Sequence, residues 1–238
     1  MSKVIKVRGL TKKFGKQTIL SNIDLDLEKG QVRAFLGPNG AGKTTTIRVL
    51  LGIIKATSGS VKVFDKDAWH DAVELHKKIA FVPGDVNLWP NLTGGEVIDL
   101  FTSFQGSHHN TEKREFFLKR FDLDPTKKCR TYSKGNRQKV ALVAAFASDA
   151  ELFILDEPTS GLDPLMSKVF DDTILEIKKQ GKSVLLSSHI MSEVEKLADE
   201  VSIIREGRIV KTGSMEEIAR AAKGKTLEEF FISEYRSK

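Results

Sequence analysis

The sequence predicts an α/β fold: a parallel sheet covered by helices, an N-terminal antiparallel β layer and an inserted α-helical subdomain. Three observations predict it. Four runs, "VRAFLG" (32–37), "IAFV" (79–82), "ELFILDE" (151–157) and "SVLLSSH" (183–189), are apolar nearly throughout, the pattern of strands buried on both faces. Helical patterns fall between them, and alternating strand and helix builds a parallel sheet. The opening stretch, "KVIKVRGLTKKFGKQTILSNIDLDLEKG", instead alternates apolar and polar residues, as an antiparallel layer with one covered face does.

The first buried strand runs into "GPNGAGKTTT" (37–46), which opens the helical run "TTTIRVLLG". This strand–loop–helix context is the one a phosphate-binding loop requires. Gly37, Gly40 and Gly42 let the backbone curl so that its N–H groups point inward at phosphate oxygens. The helix N-terminus adds partial positive charge. Lys43 is placed to reach the β- and γ-phosphates, and the Thr44 hydroxyl to ligate Mg²⁺. The loop from Gly37 through Pro38, Asn39, Gly40, Ala41 and Gly42 to Lys43, Thr44 and Thr45 is therefore predicted to bind a nucleoside triphosphate. The sheet becomes a P-loop NTPase core.

Farther on, "DAWHDAVELHKKIA" carries Trp69 at helical spacing, which predicts a core position for it. The stretch "IAFVPGDVNLWPNLTGGEV" (79–97) is a strand that stops at Pro83-Gly84 and then offers Val86, Leu88 and Trp89 in a loop. Loops normally face water. An apolar patch stiffened by Pro83 and Pro90 suits docking of an amphipathic helix; the alternative is that Trp89 folds back onto its own helical subdomain. That subdomain is expected over 93–136, from the helical patterns "GGEVIDLFTSF" and "TEKREFFLKRF" and the absence of a convincing strand. His108-His109, in "GSHHNT", have no further ligand cluster beside them and read as a solvated loop.

The strand "ELFILDE" ends in two adjacent carboxylates, Asp156 and Glu157. Two buried charges in succession are costly as structure alone. Asp156 makes sense as an anchor of Mg²⁺ through water, and Glu157 as the carboxylate that polarises an attacking water. In "LMSKVFDDTILEIKK", Leu165, Met166, Val169, Phe170, Thr173, Ile174 and Ile177 recur at helical spacing and form one apolar face. The next strand ends in "SSH", which brings His189 to the same sheet edge for contact with the γ-phosphate. The tail "TLEEFFISEYRSK" (226–238) reads as an amphipathic helix with Leu227, Phe230 and Phe231 on one face, packed either on its own domain or on a second copy.

Composition sets the outer bounds. With 238 residues, 40% of them hydrophobic, the chain can bury a full core in one domain, the sheet and β layer spanning 1–92 and 137–225. There is no apolar run of about 18 residues, and the N-terminus lacks an apolar signal core, so a cytoplasmic protein is expected. The single Cys129 fits a reducing compartment and reads as an inert loop thiol. The net charge of +6 is spread among acidic residues rather than gathered in one stripe, so no nucleic-acid partner is expected.

Across nearly the whole chain, "GPNGAGKTT", "LDEPTSGLDP" and the downstream "SSH", in this order, resemble the nucleotide-binding subunit of ABC transporters, and more narrowly the ATPases of bacterial ABC-2-type multidrug and antibiotic exporters. The resemblance implies the ABC ATPase fold, ATP and Mg²⁺ as cofactors, and a head-to-tail dimer, homomeric or heteromeric, with two ATP molecules between subunits. It implies that "YSKGNRQKV" (132–140) is the signature segment, with Ser133 and Gly135 on the γ-phosphate of the other subunit. It implies adenine stacking on Phe14, and Asp163 linking the two sites. It further implies a separate integral-membrane permease docking near Val86, Leu88 and Trp89, and a peripheral place on the cytoplasmic face of the cell membrane. Two departures stand out. Tyr132, Lys134 and Asn136 replace the first, third and fifth residues of the common LSGGQ signature. Gly84 stands where the family carries a Gln or Glu at the metal, so either Asp85 takes over or a water stays on Mg²⁺. Two rival readings remain: a soluble ABC ATPase acting on nucleic acid or ribosomes, and an ATP-sensing module without turnover.

Overall fold

The computed structural model describes residues 2–104, 110–221, 226 and 228–231. The expectations for His108, His109, Leu227 and most of the tail therefore lie outside the described residues. In chain order the strands are β1 (Lys3–Phe14), β2 (Gln17–Glu28), β3 (Val32–Leu36), β4 (Ser58–Val63), β5 (Lys66–Asp67), β6 (Ile79–Val82), β7 (Leu152–Asp156), β8 (Ser183–Ser188), β9 (Glu200–Arg205) and β10 (Arg208–Ser214). The helices are α1 (Lys43–Leu50), α2 (Ala72–His76), α3 (Gly94–Phe104), α4 (Thr111–Arg120), α5 (Lys134–Ala147), α6 (Pro164–Lys179), α7 (Met191–Leu197) and α8 (Met215–Ala221).

Two sheets form. One is antiparallel, in the order β2-β1-β4-β5. The other runs β10-β9-β3-β8-β7-β6, parallel except for the β9–β10 hairpin. Every residue of β3, β7 and β8 is buried, which is why their sequences lack the alternation seen in β1 and β2. Since β8 lies between β3 and β7, the loops leaving all three strands open on one edge, where open α/β sheets hold ligands.

Between β6 and β7 the described chain carries α3, α4, a 3₁₀ turn at Cys129–Thr131 and α5, but no strand. Helix α5 packs against both α3 and α4. Its Phe146 is the hub of an aromatic cluster, with ring centroids 5.7 Å from Phe117, 5.8 Å from Phe121, 5.9 Å from Phe153 and 6.2 Å from Phe170. One side chain thus ties α4, α5, β7 and α6 together. At the far end, Phe230 is buried with Ile218, Val194, Val201 and Ile203, so this part of the tail packs on its own domain. Cys129 is buried and desolvation pushes its thiol pKa up, as befits an inert side chain.

Three expectations need correction. Trp69 is 42% exposed, not core. The carboxylate of Asp67 accepts the N–H groups of Trp69 and His70 at 3.0 and 2.9 Å. This local turn competes with the helix, so α2 starts only at Ala72 and Ala68 is buried instead. Leu165 is 67% exposed. It directly follows Pro164 in the first turn of α6, and the buried face begins at Met166. Val86 does lie in the loop after β6, but it is buried against the main core rather than exposed.

The Phe146 hub yields a stability prediction. Phe146→Ala should cost about 3–5 kcal/mol in a urea unfolding experiment, with the m-value unchanged. A loss below about 1 kcal/mol would mean that the cluster repacks around the deletion.

Candidate active site

The loop between β3 and α1 owes its shape to glycines in two ways. Gly40 and Gly42 have φ of +81° and +113°, a region that other residues rarely enter. Close packing constrains Gly37 and Gly42: a Cβ on Gly37 would lie 2.5 Å from the Ile204 carbonyl oxygen, and one on Gly42 2.7 Å from Leu20 Cδ2. The turn between β9 and β10 supports the loop from behind, with Gly207 N–H donating to the Ala41 carbonyl at 2.9 Å. Helix α1 then starts with no acidic residue in its first turn and with Lys43 at its head, so the positive end of its dipole is not neutralised.

Lys43 is buried, yet its ammonium is well served. It donates to the carbonyl oxygens of Gly37 at 2.5 Å and Pro38 at 3.1 Å, and pairs with Glu157 Oε1 at 3.2 Å. Thr44 Oγ1 donates to Asp156 Oδ2 at 2.7 Å. The other Asp156 oxygen accepts from Ser187 Oγ. Glu157 follows in the left-handed region, φ +48°, an uncommon and strained conformation for a non-glycine residue. It is held there because its N–H donates to the Ser187 carbonyl at 3.0 Å and the Ser187 hydroxyl at 3.1 Å. The bend swings the carboxylate off the strand axis, toward Lys43 on one side and His189 Nδ1, 3.5 Å away, on the other.

A cleft of about 630 Å³ opens over Lys43, Thr44, Asp156 and Glu157, bounded also by the rest of the phosphate loop, Gly84 and Asp85; His189 is not among the residues bounding it. A Cβ on Gly84 would sit 3.1 Å from the Asp156 carbonyl oxygen, so the exit of β6 lies close to the exit of β7. Asp85, exposed on the rim, is the acid nearest to this departure in sequence. The residues fit a triphosphate with its metal. Glycine-shaped backbone and a buried lysine face anionic oxygens, while a hydroxyl and a carboxylate 2.7 Å apart are the hard oxygen donors that Mg²⁺ takes.

Other expected site residues stand elsewhere. Phe14 is half-exposed at the tip of the β1–β2 hairpin, with the Lys12 ammonium 4.7 Å from its ring centroid, and it is not among the residues bounding the cleft. Nor are Ser133, Gly135 and Asp163. Those three are neighbours of one another's loops. Ser133 caps α5 by accepting Asn136 N–H at 3.2 Å, and Asp163 caps α6 by accepting Met166 N–H at 2.9 Å. A Cβ on Gly135 would lie 2.5 Å from the Gly161 carbonyl oxygen, and Lys134 Nζ donates to Ser160 Oγ at 2.9 Å. The residue that sequence reading passed over is Ser187. It was visible only as the first Ser of "SSH"; its two duties come from lying level with Asp156 in the sheet register.

Comparison with known proteins agrees with this geometry. A family model described as ABC transporter matches residues 20–160. The chain is 35% identical to the lantibiotic transport ATP-binding protein SrtF of Streptococcus pyogenes, over 87% of this chain and 89% of the relative. It is 35% identical to the bacitracin transport ATP-binding protein BcrA of Bacillus licheniformis, over 89% of this chain and 70% of that one. Among solved structures, an ATP-binding subunit of an ABC transporter superposes with a TM-score of 0.89 at 28% identity, covering 97% of this chain and 99% of that one. A dimeric ATP-binding cassette in a post-hydrolysis state with ADP and Pi superposes with a TM-score of 0.80 at 26% identity, covering 89% and 98%. The chain belongs to the ABC transporter family, as an ATP-binding, ATP-hydrolysing subunit.

Proposed function

We propose that this ATPase works as a head-to-tail dimer, exporting a substrate through a separate integral-membrane permease. The observation that carries the hydrolytic half is the meeting of Lys43, Thr44, Asp156, Glu157 and His189 at one sheet edge. Lys43 exchanges its loop carbonyls for the β- and γ-phosphates. Thr44 and Asp156 would hold Mg²⁺, with Asp85 available on the rim beside Gly84. Mg²⁺, when bound, neutralises charge on the transferred phosphoryl group. Glu157 orients and polarises the attacking water, and His189 contacts the γ-phosphate.

The dimeric half rests on what the cleft lacks. Ser133 and Gly135 sit at the head of α5, outside the cleft of their own chain. That helix has no acid in its first turn, so its positive end suits an anion supplied from elsewhere. A second copy's γ-phosphate meets that need, with Lys134 adding charge, Asp163 passing between the two sites and Phe14 stacking on adenine. Relatives named for lantibiotic and bacitracin transport support the exporter reading.

For the permease the fold offers an apolar groove of about 250 Å³ bounded by Pro83, Leu88, Phe101, Phe104 and Ala144. Val86, though mostly buried, also lines this groove, and Trp89 stands at its side. The Trp89 ring is half-exposed and leans on Phe101 at 6.0 Å. A short amphipathic helix from the membrane subunit is the expected occupant. Among the described residues no helix is long and apolar enough to cross a membrane.

Two outcomes are expected. Glu157→Gln should keep ATP binding, lower turnover at least about 100-fold and accumulate a nucleotide-bound dimer on size-exclusion chromatography; a persistent monomer counts against the composite site. Phe104→Asp, at a 70% exposed position, should leave ATP binding intact and reduce co-purification of the permease roughly tenfold or more. Unchanged co-purification would move the docking site off the groove.

A further inference from the structure

The site above uses every carboxylate at the sheet edge, yet another acid is buried close behind it. Glu193, on α7 and four residues past His189, is 6% exposed. Its Oε2 accepts the Ser188 hydroxyl at 2.5 Å. The same Ser188 oxygen accepts the Ile190 N–H at 3.0 Å. The two residues flanking His189 are thus bonded to each other, and Ser188 is bonded in turn to Glu193. The other carboxylate oxygen, Oε1, is buried with no hydrogen-bond partner among the described residues.

Such a group is a poor choice for packing. A buried carboxylate with only one well-formed hydrogen bond is costly, and an aliphatic side chain would join α7 to α6 without that cost. The surroundings give it little relief. Burial pushes its pKa up and Asp171 on α6 adds to the rise, while the hydroxyls of Ser188 and Thr159 and the His189 ring favour the charged form. Asp171 is itself raised by burial and pairs with Lys196 at 3.5 Å. The hydrogen bond that Glu193 does make goes to the turn that carries the hydrolytic histidine.

We propose that Glu193 is a positioning residue for ATP hydrolysis, which through Ser188 locks the Ser188–Ile190 turn and holds His189 beside Glu157. The two serines of "SSH" divide the work. Ser187 serves Asp156 and the Glu157 backbone, and Ser188 serves the histidine turn. The proposal rests on the roles given above to Glu157 and His189.

The test is steady-state ATP hydrolysis with Mg-ATP binding measured in parallel, on Glu193→Ala, Glu193→Gln, Ser188→Ala, the Ser188→Ala/Glu193→Ala pair and His189→Ala. Glu193→Ala should lower kcat about tenfold while leaving the Kd for Mg-ATP within about twofold. Glu193→Gln, whose amide oxygen still accepts from Ser188, should regain at least half of the wild-type kcat. The Ser188→Ala variant should resemble Glu193→Ala, and the pair should lose no more than either single change, as a shared interaction requires. Because the neutral amide escapes charge burial, Glu193→Gln should melt above wild type at pH 8, with the gap narrowing as the pH falls and the wild-type acid, its pKa raised by burial, protonates.

A wild-type kcat in Glu193→Ala, or equal loss in Glu193→Ala and Glu193→Gln with the latter folded, would overturn the proposal alone. Full activity in His189→Ala would overturn the role of the histidine, and this proposal with it. Should Glu193→Ala fail to fold, Ser188→Ala and Glu193→Gln decide the matter by the same criteria.

Discussion

The carboxylate of Asp156 is held from both sides, by Thr44 at the head of α1 and by Ser187 on β8. Everything at the sheet edge is arranged around this pair of hydrogen bonds. Strand β8 lies between β3 and β7, so Ser187 is the shared neighbour of both. The register makes it level with Phe35 on one side and Asp156 on the other. A slip of one residue in either pairing would turn Ser187 to the opposite face and release Asp156. The parallel sheet is thus more than a scaffold: its register sets the distance between the phosphate loop and the acid.

From Asp156 the constraint passes to Glu157 and then outward. The left-handed backbone at Glu157 is tolerated because Ser187 accepts its N–H through both the carbonyl and the hydroxyl. That bend places one carboxylate between a buried ammonium and an imidazole. Gly84 makes the bend's surroundings possible on the other flank, by letting β6 leave the sheet tight against the Asp156 carbonyl. The backbone at Gly84 approaches the Asp156 carbonyl closely, and the rim acid Asp85 lies one residue beyond it. On the far side, Gln138 donates to the Pro158 carbonyl at 2.9 Å, which ties α5 to the segment leaving Glu157.

Local chemistry was legible in the sequence, and long-range chemistry was not. The buried strands, the phosphate loop and the carboxylate pair each announce themselves within about ten residues, and each forms where expected. Trp69 and Leu165 were misread because periodicity alone does not say where a helix starts; an Asx turn and a Pro-initiated first turn decided that instead. Val86 was misread because a loop assignment carries no information on what packs over it. Ser187, Glu193 and the close approach at Gly84 depend on strands and helices meeting across the chain, and no spacing rule reaches them. The proposed relation of Ser133, Gly135 and Asp163 to a triphosphate would require a second copy, which no single chain displays.

That relation is the central claim, and complementation between two broken subunits tests it most directly. Lys43→Ala removes the ammonium of the phosphate loop, and Ser133→Arg obstructs the head of α5. Each variant alone puts one defect into every shared site, so each should be inactive. In a mixed dimer the two defects fall in one site and leave the other intact, so the mixture should regain ATP hydrolysis or nucleotide-driven dimerisation. A mixture no more active than either variant alone would contradict a site built from two chains.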